Sequence, residues 1–370
     1  MKYELYMPTK VICGEDALEY FSTLETDKKV LIVCDRVMKE IGFVNEVREA
    51  LGRRDVVVFS EVEPNPTLQN VEAAVKIARD FNSDFIIGLG GGSCMDTAKL
   101  TSYIAKSGGK AGDYLYGRAT LDKERLPLVL IPTTTGTGSE CTAVGVYSDT
   151  ENNRKLNIIN PKLRADVALL VPHFTYSQPS RVTATSGIDA FTHCIESYWN
   201  INSYAATEAL ALMGCKLVLE NIYTCYEEPQ NAAARYNMVQ ASFLGGFAFG
   251  QTKTTAIHAL SFPLADVCHI EHGATCALTL VPFIRYVYPG AKEKMDRLIA
   301  FCGYQDLEHF LAALTDLMKR LGLPMTLSSV GGKQTDIQSI AETAIKFPIT
   351  HMMPRAITSE DMIAILNSIF

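Results

Sequence analysis

The stretch Asp84-Phe85-Ile86-Ile87-Gly88-Leu89-Gly90-Gly91-Gly92-Ser93, running into Cys94-Met95-Asp96-Thr97-Ala98-Lys99, decides the fold. Its first residues read as a short apolar strand, the glycines as a tight turn, and CMDTAKLTSYIA (94–105) as a helix. A helix N-terminus carries unpaired N–H groups and a partial positive charge, and glycine lets backbone approach an anion closely, so the turn suits a diphosphate. A purely structural turn is the plainer alternative. The loop is not the G-x-G-x-x-G pattern, because Ser93 stands where the third glycine would fall, and no acid closes a next strand about 20 residues on. Asp35, at the end of KVLIVCD (29–35), is instead the carboxylate placed for ribose hydroxyls, where it would repel a 2′-phosphate. Capping the next helix is its plainer role.

Working outward, DVVVFSE (55–61), LPLVLIPTTTG (126–136) and DVALLVP (166–172) repeat the apolar run, rich in Val and Ile on consecutive positions. That pattern belongs to strands buried on both faces. Between them lie helical patterns, one capped by Thr67 with Leu68, Val71, Val75 and Ala78 on a single stripe. The alternation predicts an α/β domain with a mostly parallel sheet. VGVYSD (144–149) and KLNIIN (155–160) flank Thr150–Asn153 and read as a hairpin or flap on the edge of that sheet. Pro132–Glu140, dense in hydroxyls and glycine, reads as a second loop able to wrap a nucleotide, with a plain turn as the alternative.

Past about Ser180 the strand signal fades. Residues 207–226, 232–249 and 306–321 have helical length and period, and Gly322 with Pro324 is a stop signal. The chain therefore reads as two domains, 1–180 α/β and 181–370 all-α.

With 370 residues, 48% hydrophobic and 20% charged, there is ample material for packed cores. A net charge of −7 argues against a nucleic-acid backbone as partner. No apolar run approaches about 18 residues, so no membrane span is expected. MKYELYMPTK has no apolar signal region, and the ten cysteines form no C-x-x-C pair. A cytoplasmic protein with reduced, buried thiols is the expectation.

Asp189 and His193 are four apart in SGIDAFTHCIE, so on a helix both face one side. His258 and His272, fourteen apart, could meet them through a helix, a turn and a second helix, with Pro263 expected to interrupt the first. One carboxylate and three imidazoles would suit zinc or iron(II). Each pair alone is a weak signal, because a lone helical histidine is more often packing or surface.

Taken together, GGGSCMDTAK (90–99), PTTTGTGSE (132–140), GIDAFTHCIE (187–196) and the His258–His272 stretch resemble the signatures of the iron-containing (group III) alcohol dehydrogenases. Met7–Gly14, Pro64-Asn65-Pro66-Thr67 and Pro354-Arg355 extend the resemblance collinearly over nearly the whole chain. It implies a dinucleotide-binding α/β domain followed by a helical metal-binding domain, in a dehydroquinate synthase-like architecture. Asp189, His193, His258 and His272 match the family's metal ligands, for Fe(II), with Zn or Ni as alternatives. Gly90, Gly91, Gly92 and Ser93 match the pyrophosphate loop, with Asp96 in the helix behind it, and Asn65 lies in the adenine-side loop. Thr133, Thr134 and Lys155 match further cofactor positions, and Asp35 favours NAD over NADP.

The implied activity is hydride transfer between NAD and a primary alcohol, or short diol, and its aldehyde. The alternatives are a zinc polyol dehydrogenase similar to glycerol dehydrogenase, a dehydroquinate synthase-like lyase, and a non-catalytic nucleotide-binding protein. One departure stands out: Phe262 occupies the position where the family commonly has another histidine, leaving an apolar substrate-pocket candidate and no protein proton relay there. His269 is a weak substitute, and Phe247 and Phe249 are further pocket candidates. The resemblance also implies a homodimer or higher homo-oligomer, for which KYELYMPTK (2–10) offers a strand to pair across an interface.

Overall fold

The computed structural model describes residues 3–25 and 27–370. They divide into two units, Tyr6–Thr134 with Gly138–Ser177, and Gln178–Phe370 with Thr135–Thr137 and residues 3–5.

In the first unit, the apolar runs form β1 (Lys10–Cys13), β2 (Lys29–Val33), β3 (Asp55–Phe59), β4 (Phe85–Gly90), β5 (Leu128–Pro132) and β8 (Val167–Leu170). All pair in parallel, in the order β1-β8-β5-β4-β2-β3. Alternate residues serve opposite cores. Val30, Ile32, Ile87 and Leu89 pack on one face, while Leu31, Val33, Ile86 and Leu130 pack on the other. Burial on both faces is why the central runs β2, β4, β5 and β8 are continuously apolar rather than alternating, while the edge strands β1 and β3 are largely half-buried. The helices are α1 (Arg36–Glu40), α2 (Phe43–Leu51), α3 (Leu68–Asp80), α4 (Gly92–Ser107) and α5 (Ala111–Leu115). Thr67 caps α3 through a reciprocal box with Asn70, an arrangement worth about 1 kcal/mol.

Strand order reverses at β2. The chain leaves it for β3 on one side and then returns to β4 on the other. In an open α/β sheet, the crevice beyond the carboxyl ends of the strands at such a reversal is the place for a ligand.

The hairpin β6 (Val144–Asp149) with β7 (Arg154–Ile159) is antiparallel, but it forms a two-stranded sheet of its own rather than an edge of the main sheet. Residues of α4 hold it there. Asp96 Oδ2 accepts from the Val146 N–H at 2.9 Å, Lys99 Nζ donates to the Val144 carbonyl at 2.6 Å, and the Tyr147 hydroxyl donates to the Asp96 carbonyl at 2.7 Å. Residues 3–9 form no strand, and β1 begins at Lys10; Lys2 of the KYELYMPTK segment lies outside the described residues.

The second unit is helical: α6 (Ser180–Trp199), α7 (Ala205–Glu227), α8 (Ala232–Thr252), α9 (Ala256–Cys268), α10 (His272–Val287), α11 (Lys292–Phe301), α12 (Leu307–Arg320), α13 (Ile337–Ala344) and α14 (Ser359–Ser368). Helix α6 packs against α7, α8 and α10 and is buried nearly all round from Thr183 onward, which places its polar residues in the interior. Helix α12 shows the opposite pattern, a single buried stripe of Phe310, Leu311, Leu314 and Met318. Asp306 caps it by accepting from the His309 N–H at 2.9 Å.

Pro263 does not interrupt α9, contrary to the expectation above. The helix runs through it to Cys268 and ends at His269, whose φ of 52° is left-handed. Proline removes one N–H from the ladder. The segment stays helical because α9 is buried against α10 and α13, a tertiary gain that outweighs the missing bond. No helix of the described residues is long and apolar enough to cross a membrane.

Candidate metal centre and nucleotide-binding loop

In the first unit the loops after β2, β4 and β5 end at neighbouring positions. Gly90 pairs in register with Pro132, and the Thr133 N–H donates to the Gly90 carbonyl at 3.0 Å. Gly90 holds a φ of 143°, and a Cβ there would lie 2.6 Å from Cys94 Sγ. Only glycine meets both constraints. Gly91 caps α4, and Gly91, Gly92 and Ser93 are half-buried, so the first turn of the helix presents N–H donors at a partly open face.

Asp35 follows β2, where its Oδ1 accepts from the Met38 N–H at 3.0 Å and caps α1. Its Oδ2 accepts from the Cys94 thiol at 3.6 Å. The capping role is therefore realised, and the half-buried carboxylate still lies beside the glycine loop. Asp96 is committed to the protein. Besides the Val146 N–H it accepts from Ser139 Oγ at 2.6 Å and faces Lys99 Nζ at 3.3 Å. Lys99 is fully buried, and that burial pushes its ammonium down from its ordinary pKa. Thr133 is buried and Thr134 half-buried, Asn65 is exposed with a left-handed φ of 54°, and Lys155 is exposed on β7. A dinucleotide could lie along the glycine turn, with Asp35 and Thr134 beside it.

In the second unit, α6 presents Asp189, His193 and Glu196 at spacings of four and three, and so on one face. His258 sits in the first turn of α9 and His272 opens α10. The Arg181 guanidinium on α6 pairs with both oxygens of Glu271, at 3.1 and 2.9 Å, which fixes the start of α10 against α6. Gly273 permits a close approach there, since a Cβ on it would fall 2.0 Å from the Thr185 carbonyl oxygen.

The result is convergence on one buried oxygen. Asp189 Oδ1 lies 3.9 Å from His193 Nε2, 3.5 Å from His258 Nε2 and 3.6 Å from His272 Nε2. His193 and His258 stack with centroids 4.5 Å apart. In each ring the Nδ1 atom is used elsewhere: in His193 with the Gly136 carbonyl at 3.2 Å, in His258 with Glu196 Oε2, and in His272 with Ser261 Oγ at 3.2 Å. A carbonyl and a carboxylate only accept, and the Ser261 hydroxyl already donates to the His258 carbonyl at 2.7 Å. All three rings therefore carry a proton on Nδ1 and turn Nε2 inward as the atom left to bind an ion. His258 Nε2 is buried and makes no hydrogen bond, an orphaned polar atom in the middle of the cluster.

Cys276, one turn after His272, brings its Sγ to 4.0 Å from both Asp189 Oδ1 and His272 Nε2. One candidate ligand atom from each of Asp189, His258, His272 and Cys276 lies within 4.8 Å of the others; His193 is not part of that set. Burial raises the Cys276 thiol well above its ordinary pKa, and Asp189 adds to the shift.

The electrostatics match a cation site. Burial opposes the charge of Asp189, yet His193, His272 and His258 hold its carboxyl well below the usual range. Burial pushes His193 down to about 4 against the pull of Asp189. Burial also works against a charged His258, but Glu196 and Asp189 outweigh it and bring the ring to about 9. A divalent ion can replace that proton. One carboxylate oxygen and three imidazole lone pairs suit zinc or iron(II). The His272 side chain keeps 35% exposure, so the cluster is open on one side, as catalytic metal sites are.

Aromatic faces flank the cluster. Phe249 stacks on His193 at 4.2 Å, and Phe262 lies 5.9 Å from His272 and 5.2 Å from Phe347. Phe247 packs on Phe243 instead, and His269 is an exposed helix cap. Glu196, Ser261, Cys276 and the Gly136 carbonyl were not singled out from sequence. Only Glu196 left a trace there, as an acid seven residues after Asp189.

Comparison with known proteins identifies the family. Residues 8–172 match the family model described as iron-containing alcohol dehydrogenase, and residues 183–370 match that of the C-terminal region of the Fe-containing alcohol dehydrogenase family. Alcohol dehydrogenase 4 of Saccharomyces cerevisiae is 33% identical over 375 residues, covering 99% of this chain and 98% of that protein. Sulfoacetaldehyde reductase of Bilophila wadsworthia is 33% identical over 386 residues, covering 100% of both. The crystal structure of sulfoacetaldehyde reductase from Bifidobacterium kashiwanohense in complex with NAD+ superposes with a TM-score of 0.95 at 28% identity, covering 100% of this chain and 99% of that one. The chain belongs to the iron-containing alcohol dehydrogenase family.

Proposed function

We propose that this enzyme interconverts a primary alcohol, or a short diol, and its aldehyde with NAD, at a divalent metal held by Asp189, His193, His258 and His272. The observation that carries the reading is the inward turn of three imidazole Nε2 atoms toward one buried carboxylate oxygen, with His258 Nε2 lacking any hydrogen bond. A divalent ion in that position supplies Lewis-acid stabilisation of negative charge on the substrate oxygen. NAD supplies the hydride acceptor, and NADH the donor in the reverse direction.

The chain's own residues supply placement. Asp189 provides the anionic ligand atom, and the Nδ1 partners of the three histidines keep the ligand set preorganised. Phe249 and Phe262 cover the ligand rings with apolar faces, which excludes water and favours a substrate with an uncharged, apolar chain next to its reacting carbon. Phe262 carries no titratable atom, so in this reading the alcohol proton leaves through water or cofactor hydroxyls. Gly90–Ser93 and the N-terminus of α4 hold the pyrophosphate, with Asp35 on the ribose and Asn65, Asp96, Thr133, Thr134 and Lys155 around the nucleotide; Asp96 acts through Ser139 and Val146. The corresponding working division is a nucleotide domain, 1–180, and a metal domain, 181–370.

The test is anaerobic reconstitution with Fe(II) or Zn(II), followed by an NADH-linked screen of short and linear aldehydes. The reading expects NADH consumption that disappears on chelation and returns with metal. Metal-replete protein that binds NADH and turns over no aldehyde in the panel would contradict it.

A further inference from the structure

Glu196 is wholly buried on α6, one turn beyond His193, and both of its oxygens accept from specific donors. Its Oε1 accepts from the Thr255 hydroxyl and from the Ile257 N–H, the latter at 2.9 Å. Thr255 is itself held by the Trp199 Nε1–H at 3.0 Å. The indole N–H can only donate, so the Thr255 hydroxyl proton must point to Glu196. That leaves Oε2 for the Nδ1–H of His258. Donors therefore converge on Glu196 from both sides, Trp199 through Thr255 at Oε1 and His258 at Oε2, which commits the His258 proton to Nδ1 and turns its unpartnered Nε2 toward Asp189.

We infer that Glu196 is a positioning residue for the metal. It locks His258 in the tautomer that can ligate, and it supplies the second buried negative charge. This rests on the ligand assignment made above. With Asp189 it brings two negative charges to a pocket whose other three ligands are neutral imidazoles, and two negative charges balance one divalent cation. His193 and His272 turn Nδ1 to neutral groups, the Gly136 carbonyl and the Ser261 hydroxyl, whereas His258 turns Nδ1 to a carboxylate. Glu196→Gln cannot reproduce this. If its amide nitrogen faces His258, the proton is driven to Nε2 and the lone pair is lost. If its oxygen faces His258, the NH₂ group is set against the Ile257 N–H, and two donors collide.

The experiment measures Zn(II) and Co(II) affinity by chelator competition in the full-length protein at several pH values, together with the visible spectrum of the Co(II) form and the folded state by circular dichroism. Glu196→Gln should weaken both metals by roughly 10–100-fold and alter the Co(II) spectrum, while the metal-free protein stays folded. A merely structural glutamate would lower the melting temperature of the metal-free and metal-loaded forms alike and leave affinity and spectrum untouched; that outcome overturns the inference. Should Glu196→Gln fail to fold, Thr255→Val decides. It removes one tether and keeps the charge, and the inference requires a smaller but measurable loss of affinity with an altered spectrum; wild-type values overturn it. Asp189→Asn separates the two levels of the argument. If it too binds metal like wild type, the ligand assignment itself has failed; if it loses metal while Glu196→Gln does not, only the role of Glu196 has.

Discussion

Gly273→Ala is a one-methyl perturbation whose consequence can be worked from the packing. The added Cβ would sit 2.0 Å from the Thr185 carbonyl oxygen and 2.6 Å from its carbon, both backbone atoms of α6 that no rotamer change can move aside. Relieving the clash requires α10 to retreat by about 1 Å or more, since carbon contacts are comfortable only at about 3.5 Å. Overpacking of this kind costs about 1–3 kcal/mol, which in a unit of this size lowers the melting temperature by roughly 4–8 °C for a loss near 2 kcal/mol. His272 is the neighbouring residue and moves with the helix, whereas Asp189 stays on α6. A ligand must be held to within about 0.5 Å, so metal affinity should fall by roughly 10–100-fold. Chelator competition and thermal melts of the metal-free protein measure the two effects, with His272→Ala as the limiting case. Wild-type affinity and melting temperature in Gly273→Ala would refute the α6–α10 contact on which the geometry of the centre depends.

Further outcomes follow from other parts of the structure. Asp189→Asn should abolish stoichiometric metal uptake and aldehyde reduction while leaving NADH binding, measured by fluorescence titration, unchanged. Lys99→Met removes the buried cation facing Asp96 and should destabilise the protein by about 3–5 kcal/mol in denaturant melts, because it strands a buried carboxylate. Glu140 is buried with one carboxylate oxygen unpartnered, and burial pushes its pKa from 4.5 up to about 7. Because that folded value is raised, its stabilising contribution is complete below pH 4.5 and is lost as pH rises through about 7. Glu140→Gln should therefore flatten this part of the pH–stability curve and be more stable than wild type at pH 8, by up to about 3 kcal/mol; an unchanged slope would contradict this. Phe262→His should add a titrating limb to kcat/KM near pH 6–7, about the range of an ordinary imidazole, where wild type has none.

What the sequence disclosed depended on how local each signal was. The buried strands, the Thr67 cap and the glycine turn could be read directly, because each is set by residues within a few positions of one another. The hairpin was found but misplaced, since its position depends on Asp96 and Lys99, which lie about 50 residues upstream of it. Pro263 misled because its local cost is real but is overridden by burial of α9 against α10 and α13. In the metal cluster, the acid and three histidines were visible only as two weak pairs, and it was the resemblance that joined them. Glu196 escaped notice because its meaning lies in a contact with His258, 62 positions away, and Cys276 because a lone thiol in an apolar helix says nothing of what it faces.

The most direct measurement is anomalous diffraction at the metal edge from crystals grown with Fe(II) or Zn(II). A single strong peak is expected within bonding distance of an Asp189 carboxylate oxygen and the Nε2 atoms of His193, His258 and His272. An ion held elsewhere, or one bound through Cys276 with His193 turned away, would contradict it.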